Sequence, residues 1–233
     1  MLIIDKILRV SEQGVSRPFV CEDETGDVRW CKGNHTGIRA VICEWVGARI
    51  AARLELPVPE PAILKVDIGS FRNWCDKRGD SVPQLVTETN PYVFGSLNVE
   101  NVKDVFYPET ELSHVDPELL ARIYMFDELV HNTDRTDANS NLLVNGSAYI
   151  IDHNNAFDPA FVPDVFASEH ILRRFYEAGD DAVKSEFRGR IRERITAAFI
   201  DEVWSEMPSE WTDVGAELLS PEAIKSVIGG SGK

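Results

Sequence analysis

Phe126-Asp127-Glu128-Leu129-Val130-His131-Asn132-Thr133-Asp134-Arg135-Thr136-Asp137-Ala138-Asn139-Ser140-Asn141-Leu142-Leu143-Val144-Asn145-Gly146-Ser147-Ala148-Tyr149-Ile150-Ile151-Asp152-His153-Asn154-Asn155-Ala156-Phe157 is the stretch on which the fold turns. A helical apolar pattern ends near His131. A polar loop then carries Asp134 and, five residues on, Asn139. Two apolar runs, Leu142-Leu143-Val144 and Ala148-Tyr149-Ile150-Ile151, flank Asn145-Gly146, a strong hairpin signal. The hairpin delivers Asp152. The preceding helix starts at Asp116-Pro117, an N-cap followed by proline at the first helical position. Its buried side is Leu119, Leu120, Ile123, Phe126, Leu129 and Val130.

Helix, loop, hairpin and aspartate in that order suit phosphoryl transfer. That reaction needs a carboxylate near the attacking hydroxyl and oxygen ligands for magnesium. D-x-x-x-x-N alone fits equally a polar loop whose Asp and Asn only cap and turn. The helix before it and Ile-Ile-Asp-His behind it favour the catalytic reading.

Upstream, Leu2-Ile3-Ile4, Phe19-Val20-Cys21 and Val28-Arg29-Trp30-Cys31-Lys32 read as strands, with a turn at Glu24-Thr25-Gly26-Asp27. The loop 11–16, with Gly14, is a candidate phosphate cover or an ordinary turn. Residues 38–55 form a helix, with Ile38, Val41, Ile42, Trp45, Val46, Ile50 and Leu54 at helical spacing. Glu44 falls away from Arg39, Arg49 and Arg53, among the small residues Ala40, Ala48 and Ala51. It has no basic neighbour three or four residues away, so its carboxylate calls for a cation from elsewhere. Pro57 and Pro59 stop this helix. Residues 60–68 read as a strand and 69–83 as irregular. A third helix is expected over 181–206, with Arg188, Arg190, Arg192 and Arg194 on its solvated face. Gly229 to Lys233 reads as a flexible end.

The chain has 233 residues and a formal charge of -15. Residues 1–83 hold 12 basic and 12 acidic side chains, 84–179 hold 5 and 16, and 180–233 hold 7 and 11. This balance argues against nucleic acid and anionic membranes as partners. No apolar run approaches the roughly 18–20 residues of a membrane span, and the N-terminus lacks a signal-peptide pattern. A cytoplasmic location is expected. Cys21, Cys31, Cys43 and Cys75 form no C-x-x-C pair and read as reduced thiols.

In these motifs the chain resembles the HipA-like kinases and, more distantly, the phosphatidylinositol kinases. The matching pieces are Asn132-Thr133-Asp134-Arg135-Thr136 through Asn139-Ser140-Asn141-Leu142-Leu143, then Ile151-Asp152-His153 to Ala156-Phe157. Trp30-Cys31-Lys32-Gly33-Asn34 is similar to the family's lysine-bearing strand. Glu44-Trp45-Val46-Gly47-Ala48-Arg49 and Leu56-Pro57-Val58-Pro59-Glu60 are similar to its next helix and turn.

The resemblance implies an α+β, bilobed protein-kinase-like fold. Residues 1–84 would be a small β-rich N-lobe and 85–233 a mainly helical C-lobe. It implies a Ser/Thr protein kinase using ATP and Mg2+, linked to toxin or regulatory function, with a protein substrate. Lys32 would hold phosphates, Glu44 would orient Lys32, and Leu85, Val86 and Glu88 would line the hinge under the adenine. Asp134 would be catalytic, and Asn139 and Asp152 would bind metal. It also implies phosphorylation of Ser11 or Ser16, against the alternative that both serines only make turn hydrogen bonds.

The departures are His153 after Asp152 with no following glycine, no Ala-Pro-Glu, a single glycine in loop 11–16, and a chain shorter than full-length HipA toxins. A minimal kinase, or one working with a regulatory or antitoxin partner protein, is expected. The alternatives are a small-molecule or headgroup kinase on the same scaffold and a non-catalytic pseudokinase.

Overall fold

The computed structural model describes residues 1–12, 16–78, 82–105 and 108–230. Gly14 and the last three residues lie outside them. β1 (Leu2–Val10), β2 (Phe19–Asp23) and β3 (Val28–Lys32) form an antiparallel meander, followed by α1 (Ile38–Arg53), β4 (Pro61–Lys65), α2 (Ile68–Asp76) and β5 (Tyr92–Leu97). The strands close into a barrel of order β1-β2-β3-β5-β4. A short parallel pairing, Leu2 with Leu64 and Ile3 with Lys65, makes the closure. The N-terminal region is therefore β-rich, as expected, and its strands close into a barrel.

The sheet also runs past the expected boundary at residue 84. β5 pairs Lys32 with Phe94 and Ile63 with Phe94, so it lies between β3 and β4. Residues 69–83, read as irregular, contain most of α2. Asp67 caps that helix by accepting from the Ser70 N–H at 2.7 Å, and Phe71 is buried against the barrel interior.

The rest is mainly helical. After β6 (Lys103–Asp104) and α3 (Pro108–Glu111), α4 (Pro117–Leu129) begins at Asp116, whose side chain accepts from the Glu118 N–H at 3.0 Å. β7 (Leu142–Val144) and β8 (Ala148–Ile150) are the hairpin, and Gly146 takes its left-handed turn position at φ +67°. Then come α5 (Pro163–Glu169), α6 (Arg173–Ala178), α7 (Asp181–Arg194), α8 (Ala197–Ser205), α9 (Ser209–Gly215) and α10 (Pro221–Gly230). The helix expected over 181–206 is two helices. α7 stops before Ile195, and Thr196 starts α8 by accepting from the Phe199 N–H at 3.2 Å.

Two apolar clusters result. One fills the barrel with Ile4, Phe19, Cys21, Cys31, Leu64 and Val93. The other joins α1, α4 and the C-terminal helices, and reaches the sheet through Ile63 and Phe94. Alternation along β3 turns Cys31 into the barrel and Lys32 toward α1.

α1 is the bridge. Trp45 Nε1 donates to the Val203 carbonyl of α8 at 3.2 Å. On another side, Gly47 faces His153: a Cβ at Gly47 would lie 2.7 Å from the His153 Cβ. A glycine inside a helix normally costs about 1 kcal/mol relative to alanine. Here the close approach demands it. Gly47→Ala is therefore expected to destabilise the protein by roughly 1–3 kcal/mol through overpacking, measured by urea unfolding. A more stable variant would show that α1 and residue 153 are not in contact.

Candidate active site

Lys32 sits at the end of β3 with its Nζ 2.5 Å from Glu44 Oε1 and 2.7 Å from Asp152 Oδ1. Lys32 and Glu44 are buried, at 8% and 2% exposure. Glu44 thus finds, across the fold, the cation its helix lacks. Its other oxygen, Oε2, accepts the His153 backbone N–H at 2.9 Å. One carboxylate therefore fixes both the strand-borne lysine and the segment behind the hairpin. Arg39 of α1 adds bonds to the carbonyls of Ala156 and Phe157, at 3.1 and 2.9 Å, and Cys43 Sγ donates to Ala156 O.

Charge is unevenly shared among these groups. Burial opposes the Lys32 ammonium, but the fields of Glu44 and Asp152 outweigh it and raise its pKa. Burial also opposes ionisation of Glu44, yet the Lys32 charge and the contact with His153 hold its pKa well below the usual range. Asp152 goes the other way. Burial and the nearby Glu44 push it up more than Lys32 pulls it down. Asp152 Oδ1 touches Lys32 as an ion pair, yet is buried without an aligned hydrogen-bond donor.

The loop after α4 is held from beneath by Asp127. Asp127 Oδ2 accepts from Arg135 Nε at 2.6 Å, and Oδ1 accepts from Asn132 Nδ2 at 2.9 Å. Both Asp127 and Arg135 are fully buried. Arg135 reaches on to the carbonyls of Ser140, at 3.2 Å, and Asn141. His170 Nδ1 accepts the Leu172 N–H at 3.1 Å, so Nε2 carries the proton it gives to Asp127 Oδ2 at 3.0 Å. Burial opposes a charge on Asp127, but Arg135 and His170 hold its pKa well below the usual range.

On this support Asp134 is half-buried, and Asn141 Nδ2 donates to its carbonyl (3.4 Å) and to its Oδ2 (3.3 Å). Asn139 is exposed in the turn that pairs its backbone with Thr136, and its side chain has no hydrogen bond among the described residues.

Lys32, Glu44 and Asp152 are thus brought together, and Asp134 is tied to Asn141. The expected hinge residues do not join them. Leu85 and Val86 are buried with the barrel-side cluster, on the sheet face opposite Lys32. The Leu85 carbonyl accepts the Asn34 N–H, two residues beyond Lys32, at 2.8 Å. Glu88 is exposed and paired with Arg72. The physical reason is the position of β5: the chain leaves the sheet after Leu97, where Trp30 Nε1 donates to Asn98 Oδ1 at 2.9 Å. Ser11 is buried, with its N–H on the Pro18 carbonyl, and Ser16 is half-buried.

The sequence reading gave no role to Asn141, Asp127, Arg135 or His170. Asp127 carried a signal, since a carboxylate there falls on the apolar stripe of α4, between Ile123 and Val130.

This is the scaffold of a kinase-like protein, with one lysine shared between strand, helix and hairpin. The chain belongs to the HipA-like kinase family, whose model matches residues 4–227. Its fold is similar to that of the Helicobacter pylori proinflammatory kinase CtkA, with a TM-score of 0.58 at 14% identity. That match covers 97% of this chain and 91% of that chain. No curated protein matches the chain. No helix among the described residues is long and apolar enough to cross a membrane.

The charge pattern predicts acid sensitivity. Glu44 and Asp127, with pKa values depressed in the fold, contribute stability above the ordinary carboxylate range, near 4. That contribution is lost as pH falls. Asp152, shifted up, acts with the opposite sign, because its ionisation costs stability. Urea midpoints measured from pH 6 down to pH 3 should fall. In Glu44→Gln the slope should be shallower by up to about 1.4 kcal/mol per pH unit, the most one proton can contribute. Equal slopes would mean Glu44 is not held as described.

Proposed function

We propose that this protein transfers the γ-phosphoryl group of ATP, with magnesium, to a Ser or Thr hydroxyl of a protein acceptor. The observation that carries the reading is the Lys32 ammonium lying between Glu44 and Asp152. A nucleotide's phosphates would take Lys32 as their cation, and Glu44 would keep its orientation.

The donor set suits magnesium. Among the described residues no three His, Cys, Asp or Glu side chains gather to hold a metal on protein ligands alone. Magnesium needs only one or two carboxylates when phosphates supply other oxygens. Asp152, whose Oδ1 meets Lys32 but has no aligned hydrogen-bond donor, would supply one. Asn139 or Asn141 would supply the amide oxygen. We favour Asn141, because its amide nitrogen is committed to Asp134, leaving Oδ1 to face a cation. When bound, the metal neutralises charge on the phosphates.

Asp134 would accept the proton of the attacking hydroxyl. The new bond joins that oxygen to the γ-phosphorus, and the bond to the bridging oxygen of ADP breaks. In this reading 98–102, rather than 85–88, passes beneath the adenine, because the chain leaves the sheet there.

Three tests follow from these roles. Asp152→Ala should lose most magnesium-dependent ATP affinity in calorimetry, since a charged oxygen ligand is gone. Equal affinity with magnesium present would refute the assignment. Asp134→Ala should bind ATP normally but lose phosphotransfer by roughly 10²–10⁴-fold, the range for a positioned acid or base. In the same assay Asn141→Ala should raise the magnesium requirement more than Asn139→Ala, and the reverse order would return the ligand role to Asn139.

A further inference from the structure

A groove of about 210 Å³ opens beside Thr133, the residue before Asp134. Its far wall is the segment through α5, with Asp158, Val162, Val165, Phe166 and Glu169. Two features of the wall stand out. Val162 and Val165 are half-exposed, at 51% and 49%, on either side of Pro163. Asp158 and Glu169 have no ion-pair partner among the described residues; Arg135, at the groove's floor, is already paired with Asp127.

Asp158 is held in place. Its Oδ1 accepts the Ala160 N–H at 2.8 Å, and its Oδ2 accepts Thr133 Oγ1 at 3.3 Å. A carboxylate bonded to the residue before Asp134 is set at the edge of the proposed reaction centre. Glu169, on α5, is exposed and free to swing toward a ligand.

We propose that this groove receives a Lys or Arg side chain of a polypeptide acceptor, next to the Ser or Thr that takes the phosphate. The proposal rests on the phosphotransfer reading above and adds the acceptor's chemistry to it. Long basic side chains have two parts. The aliphatic stem would lie along the valines, and the charged head would reach the two carboxylates. A small polyhydroxy headgroup would make no use of an open apolar rim. The surroundings add to the pull, since residues 84–179 carry 5 basic and 16 acidic side chains.

The test uses the whole chain with ATP, magnesium and a peptide library bearing one central Ser. Lys or Arg should be selected within about three residues of the Ser, roughly 10 Å of extended chain. Glu169→Gln and Asp158→Asn should each raise KM for the selected basic peptide about tenfold, in line with the loss of one charge pair. ATP affinity, read separately by calorimetry, should hold within about twofold because neither side chain is in the nucleotide's path. Selection of acidic or neutral neighbours, or an unchanged KM in both variants, overturns the groove's assignment. If ATP and magnesium bind and no peptide is phosphorylated, the polypeptide acceptor is wrong while the nucleotide reading stands. If ATP does not bind, both fall.

Discussion

The contact between Glu44 and Lys32 governs the arrangement of the rest. A carboxylate at 2% exposure is tolerable only with a cation and hydrogen-bond donors around it. The cation comes from the end of β3, and the donor from the His153 backbone. Meeting both demands fixes α1 against the sheet on one side and the hairpin's exit on the other. Removing one member of a buried pair costs about 3–5 kcal/mol. That is a large share of a typical domain's stability, so the sheet and the helical part are coupled through this one side chain.

Such coupling needs α1 to stay where it is, and the C-terminal helices see to that. They carry no recognisable motif, yet they grip the helix away from its Glu44-bearing face. Trp45 bonds to α8, Arg49 pairs with Glu206, and the Arg53 guanidinium stacks over Phe199. α9 comes closer still: a Cβ on Gly215 would lie 2.1 Å from the Ile42 Cδ1. At the far end of α1, Glu55 takes Arg190 and Arg194 of α7. The basic residues read as a solvated face of α7 are partly that, and partly a tether. The glutamate-bearing helix is therefore built in by the chain's own last third.

Local chemistry was the part of this fold that the sequence made legible. The Asn-Gly turn, the Asp116-Pro117 helix start and the helical spacing of α1 each act within a few residues, and each element is where the pattern puts it. That Glu44 needs a cation was legible for a related reason, since an unpaired buried charge is a question that only another charge answers; that the cation is Lys32 was implied only by the resemblance. What escaped was non-local or weakly marked. Barrel closure depends on just two residue pairs between β1 and β4. Nothing in Leu2-Ile3 announces them. The place of β5 was lost because a 26-residue excursion separates β4 from it, and the resemblance put the hinge at Leu85, Val86 and Glu88, ahead of Tyr92–Leu97. Thr196, a good N-cap inside an otherwise helical pattern, was the available sign that α7 and α8 are separate. Asn139 and Asn141 differ by two residues, and only the fold shows which one faces Asp134.

Backbone strain points to the same segment as the charges. His131, Asn141, Asp152 and Phe157 all adopt left-handed conformations, with φ of 52°, 47°, 59° and 58°. Asn and Asp tolerate this region; histidine does so less well, and phenylalanine poorly. Residues held this way cost of order 1–3 kcal/mol each and persist only where the surroundings over-determine them. Here the over-determining bonds can be named. The Phe157 N–H is held by the Val130 carbonyl, and the Phe157 carbonyl by Arg39. The Asn141 carbonyl is held by Arg135 and by the Ile151 N–H. Asp152 stands between Lys32 and a residue whose N–H is bound to Glu44. The loop bearing Asp134 and the turn bearing Asp152 are thus pinned at both ends by buried ionic groups, Asp127 with Arg135 beneath and Lys32 with Glu44 above. Bonds of this kind hold the Asp134 loop and the Asp152 turn each in one backbone geometry, and their cost is met by the buried ionic groups on either side.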